Sequence, residues 1–179
     1  DAGFLKGKTL GVDATTLEAN AALRSIVRRD TGDTYQEFLT ALAQASGVET
    51  PTREDLARID RKRKKKGSNQ DWTNPHDPDA KITKMKDGRT HLAHKAEHVV
   101  DLDTGAVIAV TIQPADRGDT DSGVNTVLTA LDELDVVQPD GDGDREIVAD
   151  KGYHSTERVS DWEGVGLRTY LSEPKRGRR

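Results

Sequence analysis

The sequence predicts an α/β fold: a mixed sheet flanked by helices, with a helical insertion after the first strand. Three observations carry that expectation. Only 33% of the 179 residues are hydrophobic and 33% are charged, yet Val, Leu, Ile and Ala fall in short dense runs, as in a small sheet covered by helices rather than in a disordered chain. Two strand-like runs are joined by a turn so short that they must form an antiparallel hairpin. Beyond that hairpin, helical periodicity and apolar strand-length runs alternate.

The elements follow in order. Residues 9–17, with Val12, Thr15 and Thr16 among them, have the β-branched content of a strand and hold one acidic residue, Asp13. Asp33 reads as the N-cap of a helix reaching about Ala45, with Phe38, Leu39 and Leu42 on its apolar face and Gly47 ending it. Pro51 to Asp55 opens a second helix, with Leu56 and Ile59 on one face, which runs into a basic block. Residues 67–78 have the Gly, Ser, Asn, Pro and Asp density of a loop. Residues 91–101 read as a strand, Asp103-Thr104-Gly105 as a turn, and residues 106–112 as the clearest strand of the chain. Asp119 or Asp121 caps a helix in which Val124, Val127, Leu128, Leu131 and Leu134 recur at helical spacing. After a polar loop at 138–144, residues 146–150 form a short buried strand left by the turn Lys151-Gly152-Tyr153. Ser155 caps a helix to about Trp162, and residues 167–171 are a final strand.

Bulk properties narrow the function classes. No apolar stretch approaches the roughly 18 residues that span a bilayer, and no signal-like leader opens the chain. Without cysteine there is neither a disulfide framework nor a thiolate metal site. A soluble cytoplasmic protein is expected. The net charge of -5 argues against a general nucleic-acid binder, but the cations are concentrated. Arg61, Lys62, Arg63, Lys64, Lys65 and Lys66 are contiguous, and Lys175, Arg176, Arg178 and Arg179 form a basic tail. Such runs suit a polyanion; for the first, a solvated helix end is the competing reading. Both ends look cut from a longer chain.

Two acidic residues stand out by position. Asp13 lies within the apolar first strand, and Asp150 ends the run Ile147-Val148-Ala149. A buried ionised carboxylate is costly unless paired or bound to a cation. If the first and fourth strands are neighbours, the two can meet, and Mg²⁺ suits a pair of carboxylates whose remaining ligands are water or phosphate oxygens. The bland alternative is that each merely shapes a turn.

Val12-Asp13-Ala14-Thr15, Asp77-Pro78-Asp79-Ala80-Lys81, Val99-Val100-Asp101 and the run from Gly105 to Ala115 are together similar to the DDE transposases of bacterial insertion sequences. So are the helix start at Asp119 to Asp121 and, above all, Ala149-Asp150-Lys151-Gly152-Tyr153-His154-Ser155. The resemblance runs from Lys8 to Arg176. It implies a single RNase H-like catalytic core over residues 1–179, with a helical insertion at about 20–75. It implies divalent metal (Mg²⁺ or Mn²⁺) held by an acidic triad, in which Asp13 matches the first acid and Asp150 the second. The third, normally a Glu on a helix after the fifth strand, has no good match: Glu173 directly follows the last strand and precedes Pro174. It is expected downstream of this chain.

The implied chemistry is phosphoryl transfer, strand cleavage and joining, on double-stranded DNA: the element's terminal repeats and a target. Two copies would act together. A cut-only nuclease of the same fold, or an inactive fragment that at most binds DNA, remain the alternatives. By the same resemblance, Lys95 falls where a basic residue is common, and Lys175 and Arg176 belong to a DNA-contacting segment. Lys151, Tyr153 and His154 adjoin Asp150 and are candidates for touching the scissile strand; packing is the alternative for Tyr153. His91, His94 and His98 do not share one strand face, so no zinc site is expected there.

Overall fold

The computed structural model describes residues 4–64, 67–138 and 144–173. Strand β1 (Thr9–Glu18) is followed by a single 3₁₀ turn, Leu23–Ser25, and by β2 (Val27–Arg28). Helices α1 (Tyr35–Ala45) and α2 (Arg53–Lys62) come next, then β3 (Trp72–Thr73), β4 (Lys81–Lys84), β5 (Thr90–Asp101) and β6 (Val107–Pro114). Helix α3 (Asp119–Val137), β7 (Arg145–Ala149), a 3₁₀ turn at Lys151–Tyr153, α4 (Thr156–Gly164) and β8 (Leu167–Leu171) complete the order. The chain forms two compact units. One draws on Asp1–Thr16, Lys95–Gln113 and Arg117–Arg179, the other on Leu17–His94 and Pro114–Asp116.

The first unit is the mixed α/β sheet of an RNase H-like fold, with strands in the order β6-β5-β1-β7-β8. Parallel pairing sets Val12 of β1 against Ala149 of β7 and Ala149 against Leu171 of β8. Between β5 and β6 the Asp101 N–H donates to the Ala106 carbonyl, closing the expected turn. The core joins Leu10, Val12, Val99, Ala109 and Ile147 of the strands to Val127, Ala130 and Leu134 of α3 and Trp162 of α4. Alternate strand residues Val110, Ile112, Val148 and Tyr170 are exposed, as the two-residue period requires.

Helix starts are where the expected and observed structures differ most. Ser155 caps α4 as expected, accepting from the Arg158 N–H. Neither Asp119 nor Asp121 caps α3: Gly118 takes the N-cap position without a side-chain bond, and both aspartates fall in the first turn, where they complement the helix dipole. That shift of one residue frees the Asp119 side chain.

In the second unit, α1 and α2 each open with a capping box. Thr34 pairs with Glu37 and Thr52 with Asp55, so the first cap is Thr34 rather than Asp33. Trp72 is 2% exposed and packs 5.1 Å from Tyr35 and edge-on to Phe38 at 5.3 Å. It lies in β3, inside the stretch expected to be loop. Two-residue strands such as β2 and β3 carry no periodicity, which is why pattern reading passes over them. The segment at about 20–75 lies within this unit, which also takes in β4, antiparallel to the N-terminal part of β5.

Candidate active site

The register of β1 and β7 builds the site. The register pairs Val12 with Ala149 on parallel strands, and the residue that follows each is a carboxylate: Asp13 within β1 and Asp150 just past the end of β7. Asp13 Oδ1 accepts from the Ala14 N–H at 2.8 Å. Asp150 is the N-cap of the following 3₁₀ turn, and its Oδ1 accepts from the Gly152 N–H at 2.6 Å. Both side chains are exposed. The sequence suggests two carboxylates in apolar surroundings; the finding is different, since burial in β1 ends at Val12, Asp13 faces solvent in the middle of that strand, and Asp150 faces solvent just past the end of β7. Exposure removes the desolvation cost and leaves the pair open to water and to a polyanion.

The Asp150 turn also reaches, through Tyr153, a buried polar network that pattern reading misses. Lys95 and Glu97, both on the inward face of β5, are 5% and 0% exposed. The Lys95 ammonium lies 2.5 Å from Asp119 Oδ1 and donates to Ser122 Oγ at 2.9 Å. Glu97 accepts from the hydroxyls of Ser122 (2.9 Å), Thr126 (2.7 Å) and Tyr153 (2.9 Å), and Lys95 Nζ stands 3.9 Å away. A buried carboxylate is tolerable only when its acceptor sites are filled in this way. Burial raises the Tyr153 phenol well above its ordinary value, and the charges of Glu97, Asp119 and Asp13 add to the rise. The signal for the network was present: on the β5 face that also carries Ala93 and Val99, two charged residues occupy core positions.

The other candidates divide. Tyr153 is 1% exposed, with its ring tilted against Trp162 at 6.3 Å, so it packs in the core rather than facing solvent. Lys95 likewise faces inward, committed to Asp119 and Ser122. Lys151 is exposed and His154 half-buried, flanking Asp150 on the same turn. In the second unit Arg61, Lys62 and Lys64 are exposed. Arg63 differs from its neighbours: its guanidinium lies 4.8 Å from the Phe38 ring centre and donates to the Tyr35 hydroxyl at 3.1 Å. Lys65, Lys66, Lys175 and Arg176 lie outside the described residues. Glu173 follows β8 in irregular chain, not on a helix. His94 Nε2 is 3.0 Å from Asp77, and His91 lies between Glu18 and Asp87.

Two exposed hard oxygen donors, one on β1 and one just after β7, fit a hard divalent ion that keeps water or phosphate oxygens as its other ligands. Among the described residues, no group of three or more His, Cys, Asp or Glu is placed to hold a metal, and no helix is long and apolar enough to cross a membrane.

Among curated proteins none matches the chain. The sequence profile of one family, described as the transposase DDE domain, matches residues 65–178. That span covers β4 to β8, including the β5–β6 turn, α3, Asp150 and its turn, so sequence family and strand order point the same way: the chain belongs to the transposase DDE domain family.

Proposed function

We propose that this chain is the catalytic part of an insertion-sequence transposase, in which Asp13 and Asp150 together hold Mg²⁺ or Mn²⁺ for cleavage and joining of double-stranded DNA. The observation that supports the reading is the β1–β7 register, in which Asp13 and Asp150 each directly follow a member of the Val12–Ala149 pair. Family membership makes transposition the general function and DNA the substrate, and the family generally uses a divalent metal.

Each residue of the site has a task that follows from its surroundings. Asp13 and Asp150 present exposed oxygen ligands that a duplex can approach. The Gly152 N–H fixes one Asp150 oxygen, so that carboxylate needs little reorganisation when it binds. Lys151, exposed on the same turn, is available to a phosphate. A divalent ion bound there supplies Lewis-acid stabilisation of phosphoryl oxygens and lowers the pKa of a bound water or hydroxyl. Phosphoryl transfer of this type needs no side-chain nucleophile. Exposed Arg61, Lys62 and Lys64 add salt-dependent backbone affinity. Two copies act together, one for each end of the element.

The test combines Mn²⁺ calorimetry with strand transfer, in which a 3′-hydroxyl oligonucleotide is offered to supercoiled plasmid. Wild type should bind Mn²⁺, and Asp13→Asn and Asp150→Asn should each weaken binding at least about tenfold. Joined product supports the transposase. Nicked plasmid without joining supports a nuclease of the same fold. DNA binding with neither product supports a non-catalytic chain. Mn²⁺ affinity equal in all three proteins would remove the site.

A further inference from the structure

The Lys95–Asp119 pair touches the candidate site through Gly152. A Cβ added to Gly152 would stand 2.7 Å from Asp119 Oδ2 and 2.8 Å from Asp150 Oδ1. Both carboxylates therefore crowd the space a Gly152 side chain would need, and a larger residue there would have to displace them. The same glycine donates its N–H to Asp150 Oδ1.

Two neighbouring carboxylates repel, and Asp13 adds a third negative charge nearby. Asp119, about two-fifths exposed, would relieve that repulsion by swinging into solvent. It stays because its other oxygen is gripped by Lys95. That ammonium cannot leave without breaking its contacts in the buried network: it donates to Ser122 Oγ and, at 3.4 Å, to the Arg117 carbonyl.

We propose that Lys95 and Asp119 are positioning residues: the buried Lys95 ammonium pins Asp119 against the Gly152 backbone, and this wall holds the Gly152 N–H on the Asp150 carboxylate. Lys95, a basic residue that the sequence offers to DNA, thus acts inward. Its ammonium is the cation shared by Asp119 and, at 3.9 Å, the buried Glu97.

The inference rests on the metal-site reading for its purpose but not for its geometry, and the experiment separates the two. In metal-free protein, the amide resonance of Gly152 reports the bond to Asp150. A short hydrogen bond to a carboxylate displaces it downfield, and Asp150→Asn gives the value without that bond. Asp119→Asn keeps the shape and removes the charge; Lys95→Met removes the ammonium. Both should lose most of the downfield displacement. The double variant should be no worse than the worse single one, because Lys95 acts through Asp119. In Mn²⁺ calorimetry each single variant should weaken binding roughly tenfold, the usual scale for an outer-shell partner, with the melting temperature of Asp119→Asn close to wild type.

A Gly152 resonance unchanged in Asp119→Asn overturns the proposal whatever the metal does. So do effects on that resonance that add independently in the double variant. If the resonance moves but the wild type binds no Mn²⁺, the positioning pair stands and the metal reading falls. Should Lys95→Met fail to fold, Asp119→Asn decides alone, since its side chain is partly exposed.

Discussion

The ring of Tyr153 occupies the space that a side chain on Gly123 would need: a Cβ at that position would lie 2.8 Å from two of its ring carbons. This close approach seats the Asp150 turn on α3 and brings the Tyr153 hydroxyl to Glu97.

Gly123→Ala is therefore a contest between two effects. Alanine favours a helix interior by about 1 kcal/mol over glycine. Overpacking a rigid, fully buried ring costs about 1–3 kcal/mol, and displacing Tyr153 from Glu97 adds the cost of a weakened buried bond. The steric cost wins. Denaturant melts should show a net loss of about 1–3 kcal/mol, and a stabilised variant would mean that the turn yields freely.

Asp101 gives a pH signature. Burial by itself would raise its carboxyl, but backbone N–H groups of Lys6, Gly7 and Asp103, with the Thr104 hydroxyl, outweigh burial and hold it below 3.8. A depressed folded-state value contributes stability that is whole above the unfolded value and fades as pH falls through the folded one. Asp101→Asn should cost about 2–3 kcal/mol at neutral pH, because one amide oxygen cannot serve these donors as a carboxylate does. The gap between variant and wild type should close as pH drops below about 3.8. A gap that persists unchanged at low pH would assign the loss to packing.

How far the sequence could be read follows from the range of each interaction. The bounds of β8, the Ser155 cap, Asp13 within the first strand and Asp150 at the close of the Ile147 run are legible, because local apolar runs and turn residues specify them; β7 itself ends one residue earlier than expected, at Ala149. Asp119 reads as a cap because any Asp before a helical pattern resembles one; its partner Lys95 is far away in sequence and is found only in three dimensions. Glu97 was passed over for the same reason, its three hydroxyl donors coming from α3 and the Asp150 turn. Strand β4, Lys-Ile-Thr-Lys, has too little apolar content to show as sheet until β5 pairs with it.

Tyr35 offers a second pH window, at the alkaline end. Burial first, then its bond to Asp60, raises the phenol to about 12. The neutral phenol therefore contributes stability that is intact below its ordinary value of 10.0 and lost as pH rises toward about 12. Alkaline difference spectra of wild type should show a phenolate step near 12 that Tyr35→Phe abolishes. The same variant should be less stable than wild type at neutral pH, by about 1–2 kcal/mol for the lost hydrogen bonds to Asp60 and Arg63. A wild type in which that phenol titrates at its ordinary value would show the Asp60 contact to be absent in solution.

The basic run 61–64 should split into two kinds of residue. Lys62 and Lys64 are exposed, whereas Arg63 lies over Phe38 and is tied to Tyr35 and Asp60. If the exposed lysines follow a DNA backbone, each alanine substitution should reduce the slope of log K against log salt by about 0.9, without changing the melting temperature. Arg63→Ala should do the reverse, costing about 1–2 kcal/mol of stability through lost cation–π and hydrogen-bond contacts while leaving the salt slope alone. Binding of each variant to a random duplex, measured across salt concentrations, separates the two. Identical slopes for wild type, Lys62→Ala and Lys64→Ala would make this run a solvated helix end; a slope change in Arg63→Ala at full stability would mean that its guanidinium leaves the rings to meet phosphate.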